Sequence, residues 1–82
     1  MPAQPADIPV RVPVRLGQLL QLSGIADTGS DARTLVADGD VLVDGAPELR
    51  RGRQLTGGEI VEVRRSSGVE SVRVVADGRS EG

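Results

Sequence analysis

The spacing of apolar residues changes near residue 40, and this change constrains the fold more than any other feature of the sequence. Between residues 16 and 36 the apolar positions recur at about 3.6 residues, as they do along one face of a helix. From residue 41 onward they form short runs bounded by Gly, Pro, Asp and Ser, which is typical of strands joined by turns. Two helices followed by a small sheet predict an α+β domain.

The first helix is predicted from the segment RLGQLLQLSG, with Arg15 at its N-terminus. Leu16, Leu19 and Leu20 share one face at about 3.6 residues per turn, so we expect this face to be buried. Gly24 follows the apolar stripe and is a typical stop signal for the C-terminus of a helix.

The second helix is predicted from TGSDARTLVADG, and its start has two candidate caps. Thr28, with Asp31 three residues later, fits a capping box, whereas Ser30 is the competing cap. The apolar stripe of this helix and its terminating glycine are Ala32, Leu35, Val36 and Gly39.

The strands are predicted from short alternating or apolar runs. Residues 8–15 alternate apolar residues with Pro and Arg, and the prolines make this segment an edge strand or an extended arm. A strand over 41–43 enters a turn at Asp44-Gly45, and a later strand covers 60–63. A hairpin through Ser67-Gly68 then returns along residues 69–75, so the sheet is expected to be small and mostly antiparallel.

The two ends of the chain differ from the rest in composition. Residues 1–7 are rich in Pro and Ala and are predicted to be a disordered arm, and residues 77–82 are predicted to be a flexible tail. One domain over residues 8–76 remains, in agreement with a length of 82 residues. The N-terminus lacks a secretory signal, and no apolar run approaches the roughly 20 residues that span a bilayer. A soluble, cytoplasmic protein without membrane contact is therefore expected.

Composition and motif searches argue against catalysis. The chain has no Cys and no His, which removes the thiolate nucleophile and both the commonest general base and the commonest metal ligand. No phosphate-cradling glycine loop is present. DGDVLVDG resembles a calcium loop only superficially, because Leu42 and Val43 replace the required oxygen ligand and glycine. We therefore expect no enzymatic activity, no cofactor, no metal and no small-molecule substrate.

The segment LRRGRQL, residues 49–55, concentrates positive charge in a chain with 12 acidic and 10 basic residues. Guanidinium groups can hold phosphate through two parallel hydrogen bonds, and neighbouring guanidinium groups repel one another unless an anion lies between them. The alternative is a solvated loop whose arginines pair with Glu48 and Glu59. Since the chain has no aromatic residue on which bases could stack, a nucleic-acid partner would be read by backbone and shape, which suits structured RNA.

The order of these motifs resembles the RNA-binding domain first seen in ribosomal protein S-four, also called the αL motif. In that family Arg-Leu opens the first helix and Ser-x-Ala-Arg opens the second. Leu-Ile-x-x-Gly, Val-x-Val-Asn-Gly and Gly-Asp then follow in order. The corresponding segments here are RLGQLL, SDAR, LVADG, VLVDG and GGEIV, which together cover about residues 14–63. LGQLL and RRGRQL are most similar to the small stand-alone bacterial members.

The resemblance implies a non-catalytic module that binds structured RNA, with ribosomal or transfer RNA as the usual target and the ribosome or a ribosomal particle as a further candidate partner. A monomer is expected. In the family the binding face is built from the starts of both helices and the loop before the final strand. Carried over to this chain, the implied RNA-binding residues are Arg15, Ser30, Arg33, Arg50, Arg51 and Arg53.

Some positions depart from the family pattern, and two other functions stay open. Gly29 stands where many members have arginine, and Asp31 and Asp38 add negative charge to the second helix. One alternative is therefore a protein-interaction adaptor that kept the fold but not RNA binding. The small size and the Gly-containing end suggest the other alternative, a ubiquitin-like sulfur carrier. It is least favoured because such carriers end in Gly-Gly, whereas this chain ends Glu81-Gly82 and its predicted helices precede the sheet.

Overall fold

Two helices and seven short strands make up the part of the chain that the computed structural model describes, residues 4–77. In chain order the elements are β1 Ala6–Val10, β2 Val14–Arg15, α1 Leu16–Leu22, α2 Gly29–Ala37, β3 Val41–Val43, β4 Ala46–Pro47, β5 Gln54–Leu55, β6 Ile60–Arg65 and β7 Gly68–Ala76. The predicted α+β fold, with two short helices and a mostly antiparallel sheet, is confirmed.

The main sheet has five strands in the order β1-β7-β6-β3-β4. β1 runs parallel to β7, with Ile8 opposite Val74, and the other neighbouring strands are antiparallel. β1 lies at one edge of this sheet, where Pro9 can be accommodated. β2 and β5 form a separate antiparallel pair in which Arg15 lies opposite Gln54. This small pair ties the start of α1 to the arginine-rich segment.

The core is built almost entirely from aliphatic side chains on one face of the sheet and one face of each helix. Alternate residues of the strands, such as Val61 and Val63, are fully buried, as the period of two requires. Each fully buried Val or Leu contributes about 1.5 to 3 kcal/mol relative to exposure, so a chain without aromatic residues can still form a stable core.

Helix α1 follows its predicted pattern. Leu16, Leu19 and Leu20 are fully buried, and the helix ends before Gly24, which has a φ of 82°. Leu22 lies on the other side of the helix and is 63% exposed. Within residues 4–77, no helix has the length and apolar character needed to cross a bilayer.

Helix α2 settles the choice between its two candidate caps. The side-chain oxygen of Thr28 accepts the backbone N–H of Asp31 at 3.1 Å, which makes Thr28 the N-cap. The prediction of Ser30 as the competing cap is wrong, because Ser30 lies inside the first turn. At the other end Gly39, with a φ of 80°, follows the C-cap residue as predicted.

The chain ends need one correction. β1 begins at Ala6, so the predicted disordered arm is wrong for residues 6 and 7. Asp7 lies opposite Arg73 on β7, and their side chains form an ion pair at 3.4 Å. The backbone N–H of Asp77 donates to the carbonyl of Val10 at 2.8 Å. Residues 1–3 and 78–82, including the remainder of the predicted tail, lie outside the described residues.

Candidate functional site

An open groove of about 890 Å³ lies between the starts of α1 and α2 and the loop that contains the arginine cluster. Arg15, the N-cap residue of α1, and Gln18 in its first turn line the groove on one side. Ser30 and Arg33 line it from α2, and Arg51 lines it from the loop. Three segments that are far apart in the sequence therefore meet at one surface.

The groove is positively charged although the whole chain has a net charge of −2. Three guanidinium groups line it, those of Arg15, Arg33 and Arg51, and its lining contains no carboxylate. Within the described part of the chain, none of these three side chains forms a hydrogen bond or an ion pair. All three therefore remain available to a bound anion, and a concave surface of one charge concentrates the local field.

Backbone hydrogen bonds fix the arginine-rich loop to α1. The N–H of Leu16 donates to the carbonyl of Arg53 at 2.8 Å, and the N–H of Gly17 donates to the carbonyl of Arg51 at 3.0 Å. The first amides of a helix have no partner within the helix, so the loop satisfies two of these groups. The backbone of Arg51 is thereby held against the first turn of α1.

The start of α2 presents peptide groups as well as side chains to the groove. Gly29 and Ser30 both line it, and their N–H groups precede the first hydrogen bond within the helix. The N–H of Asp31 is already taken by Thr28, and the carboxylate of Asp31 does not line the groove. Arginine side chains, a serine hydroxyl and unpaired amides together form a surface suited to phosphate oxygens.

Glu48 anchors the other two arginines of the cluster. It is the only buried charged or polar residue among those described, with 7% of its surface exposed. Its carboxylate accepts the N–H and the Nε of Arg50 at 3.0 and 3.1 Å, and Nη1 of Arg53 at 2.9 Å. Hydrogen bonds from the side chains of Arg50 and Arg53 lower the pKa of Glu48 to about 2. This carboxylate therefore stays ionised at neutral pH and links Arg50 to Arg53 within the loop.

The structure divides the six residues implied by the family resemblance into two groups. Four of them, Arg15, Ser30, Arg33 and Arg51, meet at the groove. The remaining two, Arg50 and Arg53, do not line it and bind Glu48 instead. The sequence left open whether the clustered arginines hold an anion or pair with acids, and for these two the pairing with Glu48 is found. A direct role in binding stays a prediction for all six.

The second predicted acid partner behaves differently. The carboxylate of Glu59 accepts the backbone N–H groups of Thr56 and Gly57 at 2.9 and 2.8 Å, so it closes a turn rather than binding an arginine. Burial raises the pKa of Glu59, but these hydrogen bonds outweigh burial and the pKa is lowered overall. The alternative in which Glu59 pairs with the arginine cluster is therefore wrong for this residue.

Several groove residues were missed by sequence reasoning. Gly17 and Gln18 line the groove from the first turn of α1, and Leu49 lines it from the loop. Leu49 is 65% exposed, which is unusual for a large apolar side chain. The sequence gives one indication that Leu49 is not a core residue: it directly precedes the arginines and belongs to no periodic apolar pattern. Among residues 4–77 no group of three acidic side chains is arranged to bind a metal ion.

Comparison with known proteins identifies similar chains. The family profile described as an S4 domain matches residues 10–78. The "Putative RNA-binding protein YbcJ" of Escherichia coli (strain K12) is 40% identical over 63 residues, which cover 77% of this chain and 84% of that protein. The "Probable ribosome maturation protein RlbA" of Bacillus subtilis (strain 168) is 38% identical over 50 residues, or 61% of this chain and 70% of that protein.

A solved structure is similar over nearly the whole chain. The solution structure of YbcJ from E. coli, described as revealing an αL motif involved in RNA binding, superposes with a TM-score of 0.65 and 34% sequence identity. The superposition covers 90% of this chain and 91% of YbcJ. The resemblance expected from the five sequence motifs and the fold expected with it are both confirmed.

Proposed function

The chain belongs to the S4 domain family, and from this premise we propose that it is a non-catalytic module that binds structured RNA through arginine–phosphate contacts in the groove. Ribosomal or transfer RNA is the proposed target, and a ribosomal particle is the proposed setting. The protein is proposed to act in the cytoplasm as a monomer. The names of the relatives YbcJ and RlbA, which refer to RNA binding and to ribosome maturation, support this direction.

One observation carries the proposal: Arg15, Arg33 and Arg51 converge on a single groove whose lining has no carboxylate. A guanidinium group is permanently charged, and its planar fork matches two oxygens of a phosphate. Three such groups, each without a partner among the described residues, would repel one another in the free protein. An RNA backbone bound in the groove supplies the negative charge that relieves this repulsion.

The same groove favours structured RNA over a flexible single strand. Proteins that bind single strands without sequence preference stack the bases on aromatic rings, and this chain has none. Contacts to phosphate and sugar depend instead on how the RNA backbone is folded in space. A folded RNA can place several phosphates at fixed distances and so meet the three arginines of the groove at once.

The proposal is tested by fluorescence anisotropy of the purified protein with ribosomal RNA hairpins and transfer RNA, with duplex DNA as the control. If three arginines each neutralise one phosphate, the slope of log affinity against log salt concentration should be about −2 to −3. Single alanine variants of Arg15, Arg33 and Arg51 should each reduce the steepness of that slope by about one unit. Binding that is independent of salt contradicts the proposal.

Arg64→Ala is the matched control for these variants. Arg64 is an exposed arginine on β6 outside the groove lining, so its removal changes the net charge equally but should leave affinity and slope close to the wild-type values. Arg50 and Arg53 are unsuitable for this purpose because their removal leaves the buried carboxylate of Glu48 without its partners. Equal losses from Arg64→Ala and the groove variants would mean that only overall charge matters.

A protein-interaction adaptor remains the second candidate, because Glu48 occupies two of the three clustered arginines and leaves fewer free cations than the sequence suggests. The two functions separate in one experiment with the Arg15, Arg33 and Arg51 alanine variants. If the protein is an adaptor, the wild type should not bind RNA, and the alanine variants should not differ from it. If it binds RNA, each variant should bind more weakly than the wild type. Membership of the S4 domain family favours either of these over a ubiquitin-like sulfur carrier.

A further inference from the structure

The groove has an apolar part beside its basic part. Along α2 the lining runs from Ser30 at the start of the helix to Ala37 at its end, and Val36 beside it has only 1% of its surface exposed. At a rise of about 1.5 Å per residue this stretch is about 10 Å long, which exceeds the width of a single phosphate group. The groove therefore has room for a phosphate and for part of the nucleoside attached to it.

Leu49 is the exposed apolar residue of this groove. Three large apolar side chains of the described residues are exposed, namely Leu22, Leu49 and Val69, and only Leu49 lines the groove. At 65% exposure its side chain gains little from folding, yet it lies two residues before Arg51 on a loop that Glu48 holds in place. An aliphatic side chain in this position gains free energy when an apolar ligand surface covers it.

We infer that the groove takes an unpaired nucleotide, with its phosphate among Arg15, Arg33 and Arg51 and its base against Leu49 and the last turn of α2. This inference rests on the proposed RNA-binding function and specifies the kind of RNA. In a continuous duplex both faces of every base are covered by stacking, whereas a base in a bulge or a loop offers a free face. The preferred ligand is therefore a folded RNA that contains an unpaired nucleotide.

Without aromatic residues, a base can be covered by the plane of a guanidinium group or by an aliphatic side chain, and Leu49 offers the aliphatic surface here. Leu49 and Ala37 offer apolar surface but no hydrogen-bonding group, so this contact excludes water without reading the edge of the base. The subsite should accept all four bases with similar affinity. Discrimination should appear between paired and unpaired nucleotides rather than between sequences.

The test compares two RNA hairpins that differ only in one unpaired nucleotide, which is present in the first and deleted in the second. Anisotropy should show that the wild type prefers the bulged hairpin, and that Leu49→Ala lowers affinity for it by about three- to tenfold. Leu49→Ala should change the affinity for the fully paired hairpin by less than twofold. Urea denaturation checks that each variant is as stable as the wild type.

Leu22→Ala is the matched control, because Leu22 is the same residue type at 63% exposure and lies outside the groove lining. This variant should keep the full preference for the bulged hairpin. As a second measurement, 2-aminopurine placed at the unpaired position should change its fluorescence when the wild type binds. The change should be smaller with Leu49→Ala and undiminished with Leu22→Ala.

The possible failures are distinguishable. Equal affinity for the two hairpins, or an unchanged preference in Leu49→Ala, overturns the nucleotide subsite while leaving the arginine contacts intact. Equal loss of preference in Leu22→Ala and Leu49→Ala overturns it as well, since the effect would not belong to the groove. If the wild type binds neither hairpin at low salt, the proposed RNA-binding function fails and the subsite fails with it.

Discussion

Gly17 lies directly against the side chain of Arg51. A β-carbon built on Gly17 would stand 2.6 Å from Cγ of Arg51, which is closer than non-bonded carbon atoms approach, and 3.1 Å from its Cδ, which is a tight contact. The N–H of Gly17 also donates to the carbonyl of Arg51 at 3.0 Å. Glycine in the first turn of α1 therefore lets this arginine lie across the helix and reach the groove, although glycine is a poor helix former.

Replacing Gly17 by alanine should displace the side chain of Arg51. Alanine favours the helix by about 1 kcal/mol relative to glycine, and this gain offsets part of the steric cost, so the free energy of unfolding should change little. The affinity for structured RNA should fall to about the level of Arg51→Ala. Anisotropy measures the affinity, and urea denaturation measures the stability.

The double variant Gly17→Ala with Arg51→Ala decides whether the two residues act together. If alanine at position 17 works by displacing Arg51, the second substitution should add almost no further loss of affinity. Fully additive losses would mean that Gly17 contributes to binding by another route, such as close approach of its own backbone to the RNA.

Local patterns in the sequence were sufficient for the helices. Leu16, Leu19 and Leu20 were predicted to share a buried face and do so, because a helix face is determined by residues three and four positions apart. The turn at Asp44 and Gly45 was also predictable from the Asp-Gly pair. Both residues have positive φ angles, which Asp and Gly adopt more readily than most residues. The parallel pairing of β1 with β7 was not predicted, because it joins residues more than 60 positions apart.

The candidate site was only partly predictable for the same reason. The family motifs located Arg15, Arg33 and Arg51, but a sequence cannot show whether a clustered arginine faces an anion or an acid. The turn that brings the carboxylate of Glu48 within 2.9 Å of Arg53 decides this, and it depends on the conformation of the whole loop. Leu49 has no periodic partner, so its place in the groove emerged only from the fold.

Replacing Glu48 by glutamine should reduce stability at neutral pH by about 1 to 3 kcal/mol, because the hydrogen bonds to Arg50 and Arg53 lose their charged acceptor. Glutamine keeps the shape of the side chain, so the core should be undisturbed. Urea denaturation at pH 7 measures the difference. An unchanged free energy of unfolding would mean that the buried carboxylate does not stabilise the loop.

The contribution of Glu48 should depend on pH with a definite sign. Its pKa falls from the ordinary 4.5 to about 2 in the folded protein, so folding favours the ionised form. The stability that it provides is complete above about pH 4.5 and is lost as the pH falls toward 2. The difference in unfolding free energy between the wild type and Glu48→Gln should therefore shrink across this window. A difference that grows with acidity contradicts the assignment.

Asp44 should tolerate asparagine but not alanine. Its φ is 52°, and its Oδ1 accepts the N–H of Ile60 at 3.0 Å, so the side chain joins the turn after β3 to the start of β6. Asparagine keeps this acceptor and adopts positive φ readily, so Asp44→Asn should leave the stability within about 0.5 kcal/mol. Asp44→Ala should cost about 1 to 2 kcal/mol in urea denaturation. Equal stability of the two variants would mean that this hydrogen bond does not stabilise the turn.

Thr28 and Ser30 should separate capping from binding at the start of α2. Thr28 accepts the N–H of Asp31, so Thr28→Ala should lower the free energy of unfolding by about 1 kcal/mol. The exposed side chain of Ser30 makes no such bond, so Ser30→Ala should leave the stability unchanged and lower the affinity for RNA by about two- to tenfold, the worth of one neutral hydrogen bond. Denaturation and anisotropy on both variants provide the comparison. If Ser30→Ala destabilises the protein and Thr28→Ala does not, the cap is assigned to the wrong residue.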